Sequence, residues 1–150
     1  MKLKLLPPLV MIIFGVAMYA LDSYLPFGEF EFFGRGALVY VMMGLGFLCM
    51  VIALVQFASA KTTTNPLKPS KATVLVRSGI YQYTRNPMYL GMLLLLIAFG
   101  LRLGNAFNTL LAAGFVYYMN HFQIKGEEEA LTLKFGKEYK YYCKEVRRWF

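Results

Sequence analysis

The sequence predicts an all-α integral membrane protein with about four transmembrane helices and a C-terminal amphipathic, cytoplasmic helical segment. Three observations lead there. Hydrophobic residues make up 58% of the 150, above the roughly 45–50% of soluble domains. The apolar residues are gathered into uncharged runs of spanning length. The basic residues stand at the ends of those runs.

Residues 5–21 form the first run, with Pro7 and Pro8 in its opening turn. Proline is tolerated there because the first helical N–H groups lack partners anyway. Lys2 and Lys4 precede this run, but no small-x-small cleavage pattern follows it, so it is expected to stay as a span. Residues 22–35 make a short connector with Asp22, Glu29, Glu31 and Arg35 among Phe27, Phe30, Phe32 and Phe33. Aromatics in that setting fit an interfacial belt. Residues 36–58 are the second span. Gly44 and Gly46 are expected to be points of close helix packing.

Residues 61–86 read as a connector on the cytoplasmic side, rich in Thr, Pro and Lys. Residues 87–101 and 106–122 are expected to form a third and fourth span, paired as a hairpin around Arg102 to Asn105. The third is short for a bilayer core of roughly 30 Å, and a crossing with Arg102 snorkelling is preferred to a re-entrant loop. Residues 124–150 form the tail. Leu131, Phe135, Tyr139, Tyr142 and Val146 recur at helical spacing, and Gly136 is expected to break that helix. The whole chain is one membrane domain. With both termini in the cytoplasm, only Arg35 and Arg102 of the sixteen Lys and Arg residues fall outside.

Charge and composition also narrow the function. A net charge of +8 would suggest nucleic acid in a soluble protein; here it suits anionic lipid at the ends of spans. Cys49 and Cys143 lie in different settings, and His121 is the single histidine. No metal-ligand spacing results.

Costly polar groups gather in two places. Gly79 to Gly91 contains Arg85-Asn86-Pro87 followed by Tyr89. Pro87 should start a helix and hold Arg85 and Asn86 in extended chain just outside it. After the fourth span come His121 and Glu127-Glu128-Glu129. His121, Lys125 and Glu128 would share a face if that helix continued. The hairpin brings these two places to one membrane face, roofed by Tyr139 and Tyr142. Each group taken singly has a plainer role as a lipid anchor, helix first turn or interfacial belt. Their convergence favours a site.

At these residues the chain resembles the isoprenylcysteine carboxyl methyltransferase family and the related membrane phospholipid methyltransferases. The resemblance rests on Gly79-Ile80-Tyr81, Arg85-Asn86-Pro87-Met88-Tyr89-Leu90-Gly91, Glu127-Glu128 with Leu131, Phe135-Gly136 with Tyr139 and Tyr142, and Arg147-Arg148-Trp149. It covers about half of the chain. Asn86 stands where the family has histidine and Ile80 where it has proline, so a proton-handling role at position 86 is not carried over. The resemblance implies S-adenosylmethionine binding, with S-adenosylhomocysteine as product. Tyr81, Arg85, Asn86, Pro87, Tyr89 and Gly91 would form one wall, and Glu127 and Glu128 the other, with His121 beside them. Arg148, with Arg147 behind it, would hold the carboxylate of a lipophilic methyl acceptor entering from the bilayer, and Tyr139 and Tyr142 would line its place. An amine acceptor would instead want a base, with Glu128 or His121 as candidates. Two further readings stand beside these: a nicotinamide-dependent membrane reductase of the sterol type, and a lipid-binding membrane protein without catalysis.

Overall fold

A computed structural model describes residues 5–25, 28–60 and 73–150. Among them the chain is helical, with one isolated two-residue bridge between Glu29 and Asn105. Six helices follow in order: α1 Pro7–Tyr24, α2 Arg35–Ser59, α3 Pro87–Leu103, α4 Asn108–Tyr118, α5 Lys125–Phe135 and α6 Lys137–Glu145. The part of the sequence-predicted connector at residues 61–72 lies outside the described residues.

α1 and α2 have 18 and 25 residues and are long and apolar enough to cross a membrane. Their outward faces confirm the kind of solvent they need. Leu9, Ile12, Ile13 and Val16 on α1, and Val41, Leu45, Phe47, Leu48 and Val51 on α2, are exposed. A soluble protein rarely leaves so much contiguous apolar surface uncovered.

α3 is the helix around which the others pack. Val10, Met18, Tyr89, Met92, Leu93, Leu96, Ala112, Phe115, Met119 and Ile124 form one buried cluster drawn from α1, α3 and the α4 rod. α3 begins at Pro87 as the sequence predicts, and runs two residues further than expected, to Leu103. Its 17 residues reach about 25 Å at 1.5 Å per residue. Gly104 then ends it in the left-handed conformation, at φ +80°, which a Cβ would disfavour.

α2 lies against α3 through two facing glycines. A Cβ on Gly46 would stand 2.9 Å from the carbonyl oxygen of Gly91, and one on Gly91 would stand 2.7 Å from that of Gly46. The backbones therefore touch, as small residues permit in membranes. Gly44 does not share this role: nothing lies within 4 Å of its would-be Cβ, because it sits two residues round the helix from the contact stripe.

α4 does not stop at the end of the hairpin. It passes through one wide π turn, Met119–Ile124, straight into α5. Gly136, at φ +55°, closes that long rod, and α6 folds back. Tyr139, Tyr142 and Val146 then pack on Leu131, Phe135 and Leu75, so the tail's apolar stripe is real but divided over two helices.

Candidate functional site at the Pro87 end of the hairpin

The local chain before α3 is held by a short polar loop. Asn86 does not cap α3 with its side chain. Thr84 does the local work instead, accepting the Asn86 N–H at 3.2 Å and donating its hydroxyl to the Arg148 carbonyl at 3.1 Å. The Asn86 amide donates to the same carbonyl at 3.0 Å. The Arg85 N–H donates to the carbonyl of Arg147 at 3.0 Å. Of these four hydrogen bonds, three bind the loop to the C-terminal segment more than sixty residues away.

The side chains meet at Glu128. Arg148 forms a two-pronged pair with it, Nε to Oε1 at 2.9 Å and NH2 to Oε2 at 2.6 Å. Arg85 NH2 reaches Oε1 from the other side at 3.0 Å. Glu128 and Arg85 are 18% and 11% exposed, Arg148 38%. Charge-assisted forks of this kind are the strong class of hydrogen bond. The Glu128 bond is the main cause that holds the Arg148 pKa above its ordinary value, so this guanidinium stays charged. Two arginines against one carboxylate leave the cluster with an excess positive charge. Arg85 Nε is buried and has no hydrogen-bond partner among the described residues.

Glu127 faces a different set. The Tyr89 hydroxyl donates to its Oε1 at 2.6 Å, and the amide of buried Gln123 donates to the same oxygen. Tyr89 and Glu127 thus tie α3 to α5 across the mouth of the hairpin. Trp149 Nε1 donates to Asn120 Oδ1 at 3.1 Å, which lays the end of the tail over the π turn.

Arg85, Asn86, Tyr89, Glu127, Glu128 and Arg148 are therefore brought together as the sequence suggests. Pro87 is buried at the first turn of α3. Other candidates stand elsewhere. The Tyr81 ring packs edge-on against Phe57 at 5.2 Å and its carbonyl accepts the Tyr142 hydroxyl at 2.6 Å. Both are fold joints, and burial pushes their pKa values, and that of Tyr139, upward, so all three stay neutral. Gly91 serves α2, on the side of α3 away from Tyr89. Arg147 is exposed and contributes its main chain.

His121 is not in the cluster. It is exposed and stacked on Tyr117, centroids 5.3 Å apart. Its expected alignment with Lys125 and Glu128 assumes 3.6 residues per turn. The π turn holds about one residue more than an α turn, which rotates everything before it by roughly 100°. Three contributors escape sequence reading: Thr84, Gln123 and Asn120. Gln123 leaves a trace, as an amide one turn before Glu127.

A helical membrane domain that gathers arginine, glutamate and tyrosine at one mouth of a hairpin defines a class: a membrane protein with a built polar site at its surface. Sequence comparison makes the class specific. A profile of the family described as phospholipid methyltransferase matches residues 34–138, well over half of the chain. The chain belongs to this methyltransferase family. Its relatives include the protein-S-isoprenylcysteine O-methyltransferases of Schizosaccharomyces pombe, 34% identical over 113 residues, and of Dictyostelium discoideum, 30% identical over 139 residues. These alignments take in 72% and 86% of this chain and 48% and 57% of those proteins, so the chain spans about half the length of the curated relatives carrying that name. An uncharacterized protein of Haemophilus influenzae is 48% identical over 62 residues, 41% of this chain and 98% of that protein. No solved structure matches.

Proposed function

We propose that the chain is an S-adenosylmethionine-dependent membrane methyltransferase whose site faces the cytoplasm and whose acceptor is a lipophilic carboxylate of the isoprenylcysteine kind. The topology is four crossings, α1 to α4, with both termini inside. The distribution of Lys and Arg supports it, as do the lengths of α1 and α2.

One observation carries the reading: Arg85, Glu128 and Arg148, drawn from three separated segments, form a half-buried cluster with surplus positive charge and an unpartnered Arg85 Nε. Such a cluster suits a carboxylate. The cofactor fits these residues. Arg85 would take its carboxylate, and Glu127, aimed by Tyr89 and Gln123, would take its ammonium or ribose hydroxyls. When bound, S-adenosylmethionine supplies a methyl group activated on a sulfonium.

The remaining tasks fall to the protein. Glu128 positions the two guanidinium groups. Arg148 holds the acceptor's carboxylate in line, and orientation of this kind can supply about 7–11 kcal/mol of a barrier. The aromatic tail, pinned by Trp149 and by the loop at residues 84–86, excludes water. Asn86 needs no proton for its part, since its amide only holds the Arg148 carbonyl. A carboxylate acceptor requires no base, and both Glu128 oxygens are engaged by arginine. That occupancy favours O-methylation over methylation of a lipid amine, for which neither Glu128 nor exposed His121 is placed as a base.

Calorimetry of the full chain in detergent with S-adenosylhomocysteine tests the first half, and transfer of labelled methyl to a prenylated cysteine tests the second. Binding that Arg85→Ala weakens at least about tenfold supports the site. A folded protein that gives no heat with S-adenosylhomocysteine ends the reading.

A further inference from the structure

A cavity lies between α1, α3 and α4, toward the Asn105 end of the hairpin. It has a volume of about 340 Å³, within the usual range of small-molecule sites, about 300–1,000 Å³. Met18, Leu93, Leu96, Ile97, Ala112 and Val116 form its apolar walls. Thr109 and Ala113, both exposed, stand on its rim. Asn108 also lines it, packed on Gly100. Gly100 lies eleven residues beyond Tyr89, roughly 16 Å along the helix, so this place is distinct from the arginine cluster.

The amide of Asn108 is the feature that calls for a partner. The residue is 2% exposed, and neither its Nδ2 nor its Oδ1 has a hydrogen-bond partner among the described residues. Its neighbour Asn105 shows the contrast. That side chain is equally buried, yet Nδ2 donates to the Leu25 carbonyl at 3.0 Å and Oδ1 accepts the Phe107 N–H at 3.0 Å. Buried polar groups are nearly always satisfied, and an exception asks for an explanation.

We propose that this cavity binds a single-chain lipid carrying a neutral hydroxyl, with the hydroxyl on Asn108 and the chain along Leu93 to Ile97. A hydroxyl donates to Oδ1 and accepts from Nδ2, so one group meets both needs. A charged head would be expensive at this depth among apolar side chains. A water could meet the Asn108 amide as well as a hydroxyl does, but it would leave the apolar walls that make up most of the cavity uncovered, which an attached chain would fill. The exposed rim at Thr109 and Ala113 opens the cavity sideways to the bilayer. The inference is independent of the methyltransfer reading.

The test uses the full chain in detergent and a dodecanol bearing a photoreactive diazirine on its chain, with labelled peptides mapped by mass spectrometry. Labelling should fall on α1, α3 and α4 around the cavity. Unlabelled dodecanol should compete at least about tenfold better than dodecane. Asn108→Leu should remove that preference, and Ala113→Phe, on the exposed rim where folding is not at risk, should reduce labelling by obstructing entry. S-adenosylhomocysteine binding, measured in parallel, should be unchanged in Ala113→Phe, which separates this site from the other. Equal competition by dodecane, labelling elsewhere in the chain, or labelling untouched by Ala113→Phe would each overturn the proposal.

Discussion

The two ends of the α3–α4 hairpin are joined by different chemistry. At the Asn105 end the joint is mostly main chain, with one ion pair, Arg35–Glu31, at its exposed edge. The Phe30 N–H donates to the Gly104 carbonyl and the Ala106 N–H to the Gly28 carbonyl, both at 2.9 Å. Arg35 braces the first of these turns by donating to the Phe30 carbonyl at 2.8 Å. At the Pro87 end the joint is ionic and made by side chains: Arg85, Glu128 and Arg148, with Tyr89 on Glu127. Main-chain bonds fix a shape and tolerate many side chains. Ion pairs hold charges ready for exchange with a ligand's charges, and each partner depends on the other. The difference sets a main-chain closure of the fold at one end against a charged, side-chain mouth at the other.

Four substitutions break or sharpen that contrast. The largest effect is expected from Glu128→Ala. It leaves two guanidinium groups facing each other, at a cost of about 3 kcal/mol, discounted for the more exposed Arg148. S-adenosylhomocysteine affinity should fall by at least about a hundredfold, and Glu128→Gln should recover only part of it. Calorimetry that finds wild-type affinity in Glu128→Ala would reduce the cluster to a structural tie.

Gly91→Ala comes next. The new methyl would meet Met50 and the Gly46 carbonyl, an overpacking worth about 1–3 kcal/mol. The expected result is a lower melting temperature with ligand affinity retained at temperatures where the protein is folded. Lost affinity at an unchanged melting temperature would make Gly91 part of the cofactor wall after all.

Asn105→Ala should cost about 1–3 kcal/mol, since two buried hydrogen bonds end on that side chain. It should lower the melting temperature and leave ligand binding alone; impaired binding would show that the two ends are coupled. His121→Ala is expected to stay within about 0.5 kcal/mol in stability and to leave methyl transfer intact. A loss of turnover there would restore it to the site.

How much of this was readable from residues alone depends on the range of the interaction. Pro87 as a helix start and Gly136 as a helix break are local matters of backbone geometry, and both appear where the sequence puts them. The meeting of Arg85 with Glu128 follows from hairpin topology and is also legible. What is hidden depends on partners distant in sequence. Gly91 reads as a point of close approach for a ligand or a neighbouring helix, and only the fold shows that Gly46 stands opposite it. Asn86 looks like a failed histidine until its amide is seen on the Arg148 carbonyl. Tyr81 and Tyr142 look like a ligand wall, yet they bind each other. The wide turn at Met119–Ile124 has no strong sequence mark, so periodicity carried through it misplaces His121 while leaving the helix itself correct.

That wide turn has a consequence for how the segment can vary. It sets the angular phase between the half of the rod that packs in the bundle and the half that carries Glu127 and Glu128. Deleting one residue within it would convert it to ordinary helix and swing both carboxylates by roughly 100°, away from Tyr89 and the arginines. The length of this stretch is therefore constrained as well as its composition: besides Met119 and Ile124 in the core and Asn120 and Gln123 in hydrogen bonds, the residue count itself keeps Glu127 and Glu128 facing the mouth of the hairpin.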